Sequence, residues 1–78
     1  MFKLQKLDKK ENYNIITFTD GLEAYGAIVI IKDESLYLEF MEFKGEELIS
    51  ITEDETPEEY HRLEEKYIND LIDVIDRD

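Results

Sequence analysis

The acidic segment Glu53-Asp54-Glu55-Thr56-Pro57-Glu58-Glu59 separates two hydrophobic periodicities that no single element can satisfy. Before it, short runs rich in Ile, Val, Phe, Tyr and Thr are punctuated by turn residues, which is the pattern of strands. After it, Tyr60, Leu63, Tyr67, Ile68, Leu71, Ile72, Val74 and Ile75 recur at helical spacing. The chain is therefore expected to form an α+β domain. An antiparallel meander of four to five strands within 2–52 leads through an acidic turn at 53–56 to one C-terminal helix over 57–76, packed on one face. A length of 78 residues gives core enough for one such domain, spanning 1–78.

Strands are expected over 2–7, 14–19, 24–32, 35–43 and 47–52. Their connections, Lys9-Lys10-Glu11-Asn12, Asp20-Gly21, Lys32-Asp33-Glu34 and Lys44-Gly45-Glu46, are short and polar, so consecutive strands must pair antiparallel. In the fourth strand Leu36, Leu38 and Phe40 share one face, and Tyr37, Glu39, Met41 and Phe43 the other. The continuous apolar run 27–31 suits a central strand protected on both faces. Gly26 marks a bulge or a close approach of backbone.

Thr56 offers an N-cap hydroxyl, Pro57 takes the first helical position and Glu59 stands three residues past the cap, as in a capping box. The apolar arc of the helix spans about 180°, wider than the roughly 100° stripe that one sheet contact needs. It divides into Tyr60, Leu63, Tyr67, Leu71 and Val74 for the sheet, and Ile68, Ile72 and Ile75 beside them. That second stripe is a candidate contact in a homodimer, or is covered by the chain itself. Glu64 falls near the middle of the arc and is expected to reach solvent from a groove, because a buried unpaired carboxylate is costly.

Charge is uneven along the chain. The net charge is −12, yet residues 1–32 hold five Lys against four acidic residues, while 33–78 hold 17 acidic residues against four basic ones. Such a surface repels nucleic acid and anionic lipid and attracts a basic protein surface, besides keeping a small protein soluble. On the helix Glu58, Glu65, Asp73 and Asp76 lie opposite the apolar arc, and Asp70, Asp73, Asp76 and Asp78 crowd a C-terminus that already carries partial negative charge. Glu58, Glu65, Asp70, Asp73 and Asp76 are the candidate partner-binding residues.

The inventory for chemistry is thin. There is no Cys, and Ser35, Ser50 and a single His61 give no nucleophile next to a base. Glu39 and Glu42 point to opposite faces of one strand. Glu58-x-x-His61, with Glu65 beyond it, has spacing that admits a surface zinc site, though a salt-bridge cluster at the helix start explains it more simply. Gly21 and Gly26 are not followed by the Gly-Lys-Ser/Thr of a phosphate loop. No catalytic, cofactor-binding or metal-binding residue is assigned. Lys3, Lys6, Lys9 and Lys10 are expected to pair with the protein's own carboxylates. The lack of Cys, of a signal-peptide apolar block and of any run near the roughly 20 residues that span a membrane makes a cytoplasmic protein the expectation.

In size and charge the chain resembles small acidic proteins encoded by phages and mobile elements, such as DNA-mimicking inhibitors of uracil-DNA glycosylase or of CRISPR nucleases. The resemblance extends to bulk properties and to no motif. It implies a non-enzymatic interaction domain, an inhibitor or nucleic-acid mimic of bacterial or phage origin that binds a basic protein surface. The alternatives are a structural or accessory domain that self-associates through the helix and an exposed sheet edge, and a metal-binding protein.

Overall fold

The computed structural model describes residues 1–77. Five strands, β1 (Lys3–Lys9), β2 (Asn14–Thr19), β3 (Ala24–Lys32), β4 (Ser35–Lys44) and β5 (Glu47–Ile51), are followed by the helix α1 (Pro57–Arg77). The strands form one antiparallel sheet in the order β1-β2-β3-β4-β5, a meander with β3 at its centre. The architecture is α+β. β1 runs two residues past its expected end, because Asp8 and Lys9 continue the ladder opposite Ile15 and Asn14. The turn follows, closed by Lys10 N–H donating to Tyr13 O at 2.8 Å.

Alternation sorts the side chains. Ile16 and Phe18 of β2, Tyr25, Ala27 and Val29 of β3, Leu38 and Phe40 of β4 and Ile51 of β5 turn to one face, where Tyr60, Leu63, Tyr67 and Leu71 of α1 cover them. The helix crosses the sheet diagonally. Tyr60 meets Phe40 of β4 edge-on at 5.9 Å, Tyr67 packs against Phe18 of β2 at 4.9 Å and Tyr25 of β3 at 6.1 Å, and Val74 lines one groove with Leu4 and Leu7 of β1. One rod thereby contacts the whole width of the sheet. Phe2 extends the cluster by stacking on Phe18 at 5.0 Å. Ile68, Val74 and Ile75 pack partly buried against this same core, and Ile72 is half-buried.

A single helix covers a single face, so protection of β3 on both sides is not realised. Ala27 and Val29 are fully buried, whereas Ile28 and Ile30 are half-buried and Ile31 is 50% exposed. At Gly26 the ladder is regular, and what comes close is side chain and not backbone, so neither a bulge nor a backbone approach is found there. A Cβ there would lie 3.1 Å from Met41 Cε and 3.4 Å from a Phe43 ring carbon. The irregularity of the sheet lies instead in the edge strand β1, between Leu4 and Lys6.

The capping box is replaced by another arrangement. Thr56 turns its hydroxyl back to Thr52, accepting from Thr52 N–H at 2.9 Å and donating to Thr52 O at 3.1 Å, while Thr56 N–H also donates to Thr52 O at 2.9 Å. Glu59 is held by Arg62 and does not reach back to the cap. The chain reverses sharply from β5 onto the sheet, and Thr56 serves that reversal. In the β2–β3 turn, Asp20 Oδ1 accepts from the Leu22 and Glu23 N–H groups at 2.8 Å each. These bonds, that of Glu23 foremost, hold the Asp20 carboxyl below the usual carboxylate range. Among the described residues no helix is long and apolar enough to cross a membrane.

Two features locate unspent stability. Asp33 and Glu34 at the β3–β4 tip have φ of 50° and 67°, the left-handed region that costs a side-chain-bearing residue about 1–2 kcal/mol. Glu34→Gly is expected to raise stability by about 0.5–1 kcal/mol after allowing for the looser unfolded chain. Glu46→Gly, at a residue without positive φ, is expected to lower it. Chemical denaturation of the two variants checks the difference. Tyr67 is 2% exposed and its hydroxyl has no hydrogen-bond partner among the described residues. Tyr67→Phe is expected to leave stability unchanged or raise it by about 1 kcal/mol, a few degrees in Tm, and a clear loss in thermal melts would contradict this.

Candidate functional site

The outer side of α1 is built by helical repeat alone. Glu58 and Asp76 are 18 residues apart, five turns, so they fall in one line about 27 Å long. Glu65 and Asp73 lie on or next to that line, and Asp70 stands to the side nearer the sheet. All five are exposed. The structure thus brings Glu58, Glu65, Asp73 and Asp76 onto one surface with Asp70 at its flank; Asp78 lies outside the described residues.

What distinguishes this surface is where the neighbouring cations go. Arg62 donates to both carboxylate oxygens of Glu59, one bond measuring 3.1 Å. The Arg62 contact holds Glu59 below the usual carboxylate range, and the same contact raises Arg62. Lys66 Nζ lies 5.3 Å from the centroid of the Tyr67 ring. Arg77 pairs with Asp73 at 2.7 Å. Glu58, Glu65, Asp70 and Asp76 are left with no ion pair among the described residues.

A second group of side chains gathers at the start of α1. His61 lies 3.6 Å from Glu53 through Nε2 and 3.4 Å from Glu64 through Nδ1, and the Tyr60 hydroxyl donates to Glu64 at 3.4 Å. Glu64 thus leaves the apolar arc sideways, its side chain 38% exposed, as the cost of burial requires. His61 meets Glu53 and Glu64, and neither Glu58 nor Glu65. The spacing could not show this, because Glu53 arrives through the turn at Thr52–Thr56. Beside the cluster is an open groove of about 190 Å³ lined by Leu36, Tyr37, Leu38, Glu39, Thr52, Glu53, Asp54 and Tyr60. Burial, together with the charges of Glu64 and Glu53, pushes Tyr60 up to about 12, and a hydrogen bond with Glu39 raises Tyr37. At neutral pH both phenols keep their protons and can donate hydrogen bonds.

The Tyr60 shift has a sign that can be tested. Its folded value stands above the ordinary 10.0, so its contribution is complete below pH 10 and is lost as pH rises from 10 towards 12. Solvent screening at the hydroxyl end of the ring leaves on the order of 1–2 kcal/mol of what such a shift would represent in a fully buried group. Wild type is expected to lose stability over that window in denaturant titrations. Tyr60→Phe is expected to lose about that much less, and equal losses in the two proteins would contradict the assignment.

Among the described residues no three or more His, Cys, Asp or Glu side chains are placed to hold a metal ion. No protein-family model, curated protein or solved structure matches the chain.

Proposed function

We propose that this is a non-enzymatic recognition domain whose helix presents carboxylates to a basic surface on another protein. The observation that carries the reading is the set of exposed, unpaired acids Glu58, Glu65, Asp70 and Asp76, alongside cations already engaged elsewhere. A carboxylate without an intrachain partner gives up no existing pair when it meets a Lys or Arg on another molecule. The negative field of the whole chain would also speed encounter with a positive partner. A row of acids about 27 Å long offers a basic cleft the charge pattern of a nucleic-acid backbone, so the domain would act by occupying such a cleft as an inhibitor. The proposal carries a cytoplasmic setting, where such clefts are found.

The test is affinity capture from host extract with wild type and with a variant carrying Glu58→Gln, Glu65→Gln, Asp70→Asn and Asp76→Asn. Wild type is expected to retain a basic protein at low salt and release it as salt rises. At roughly 0.2–1 kcal/mol per exposed pair, the variant should bind that protein about fourfold to several hundredfold more weakly in subsequent calorimetry. A partner that binds both proteins equally, or that carries no basic surface, overturns the proposal.

A further inference from the structure

The face of the sheet turned away from α1 carries an uncovered apolar patch. Alternation and register bring Ile15, Ile28, Ile30, Met41, Phe43 and Leu48 together across β2 to β5. None of these six is buried, and Phe43 and Leu48 are 40% and 57% exposed. Met41 and Phe43 lean across Gly26, so the middle of the face is a continuous apolar surface. Sheets with one face on a core ordinarily turn polar residues outward on the other. Here the polar positions, among them Thr17, Thr19, Ser35, Glu39 and Ser50, surround an apolar patch across the middle strands, which marks that patch as a surface to be covered.

Charge limits what can cover it. The chain carries −12, and two copies meeting through their helices would set Glu58, Glu65 and Asp76 against like charges. On the open face the charged positions are Lys3, Lys6 and Lys32 against Asp8 and Glu39, so it is the side on which two copies of −12 meet with the least local repulsion. The same near-neutral balance gives a basic partner nothing to bind. Pairing through the sheet edge is opposed at β1, where Lys3, Lys6, Lys9 and the register shift block strand addition.

We infer that a second copy of this chain docks on the open face, forming a two-sheet sandwich with the helices outermost. Sheets stacked in this way lie about 10 Å apart with strands within about 30° of one another. A two-fold axis running across the strands, between the Gly26 and Ile28 positions, lays β3 on β3 and sets Lys6 of each copy over Asp8 of the other, so that the Lys6–Asp8 pair within each chain, 3.4 Å apart, joins its mate in a four-charge cluster. An axis along the strands would bring Asp8 towards Glu39, like against like. Five strands at about 4.8 Å, each contributing six or seven residues at about 3.3 Å, give on the order of 500 Å² per copy. The total, about 1,000 Å², is at the lower bound for a specific interface, so the dimer forms and dissociates at micromolar concentrations.

Sedimentation of the full chain from micromolar to submillimolar concentration is expected to show a reversible dimer. Phe43→Glu and Leu48→Glu, both at exposed positions, are expected to weaken it by about tenfold or more with unchanged circular dichroism. Lys6→Asp and Asp8→Lys are each expected to weaken it, and the two together to restore it. Ile72→Glu on α1 is expected to leave it intact. With no substitution at all, concentration-dependent NMR shifts should gather on Ile28, Ile30 and Met41 and spare Ile68 and Ile72. A wild type that stays monomeric overturns the inference and leaves the face to another occupant. A dimer that ignores Leu48→Glu, or shifts confined to α1, overturns it equally.

Discussion

The seating of the Tyr60, Leu63, Tyr67 and Leu71 stripe on Phe18, Tyr25 and Phe40 is the contact on which the remaining structure depends. A five-strand meander has no core of its own, since every residue on it faces one layer of space or the other. Laid along the strands, a helix would cover two or three of them. Laid diagonally, α1 reaches from β4 and β5 at its start to β1 at its end, and each of its aromatic rings meets another ring. Ring pairs of this kind add about 0.5–1.5 kcal/mol beyond the area they bury. For a chain of this size, with only a few kcal/mol of net stability, that is a large share.

The same seating fixes where the helix must begin, and this explains the fate of Thr56. Its hydroxyl could cap α1 or close the reversal from β5, and the reversal takes it because the helix lands on the sheet only if the chain turns sharply between Ile51 and Pro57. Local sequence showed the hydroxyl, the proline and the acid in the right order. It did not show which of two bonds the hydroxyl would make, since the competitor, Thr52, becomes a neighbour only through the turn.

Most of the fold was legible for a similar reason turned round: strand and helix boundaries depend on periodicity and turn residues, which are local. The paired faces of β4 followed from alternation, and the helix from its spacing and Pro57. What alternation could not reveal was how many faces a single helix covers. The run at 27–31 reads as protected on both sides, although half of it looks away from α1. The candidate acids were legible too, because helical repeat places Glu58, Glu65, Asp73 and Asp76 without help from tertiary contacts. The cations were less so, as Arg62 and Lys66 lie close to those acids on the wheel yet are engaged by Glu59 and the Tyr67 ring.

The acids also occupy positions that stability alone disfavours. Asp73 and Asp76 sit in the last turns of α1, where a carboxylate loses roughly 0.3–1 kcal/mol to the helix dipole. Asp33 and Glu34 hold left-handed backbone at a hairpin tip that Asn-Gly would fill with less strain. The apolar open face of the sheet, by contrast, is where charge is sparse, so the molecule has two surfaces of opposite character on opposite sides of one core. The two contacts proposed for them would answer oppositely to salt. Screening weakens the attraction of the helix acids for a basic partner, and it relieves the repulsion between two chains that each carry −12. Stacking through the sheets would place the two acid rows on opposite outer faces, separated by the thickness of four layers. Neither row would obstruct the other, and a pair of chains could engage two basic sites on separate molecules but not two on a single flat surface.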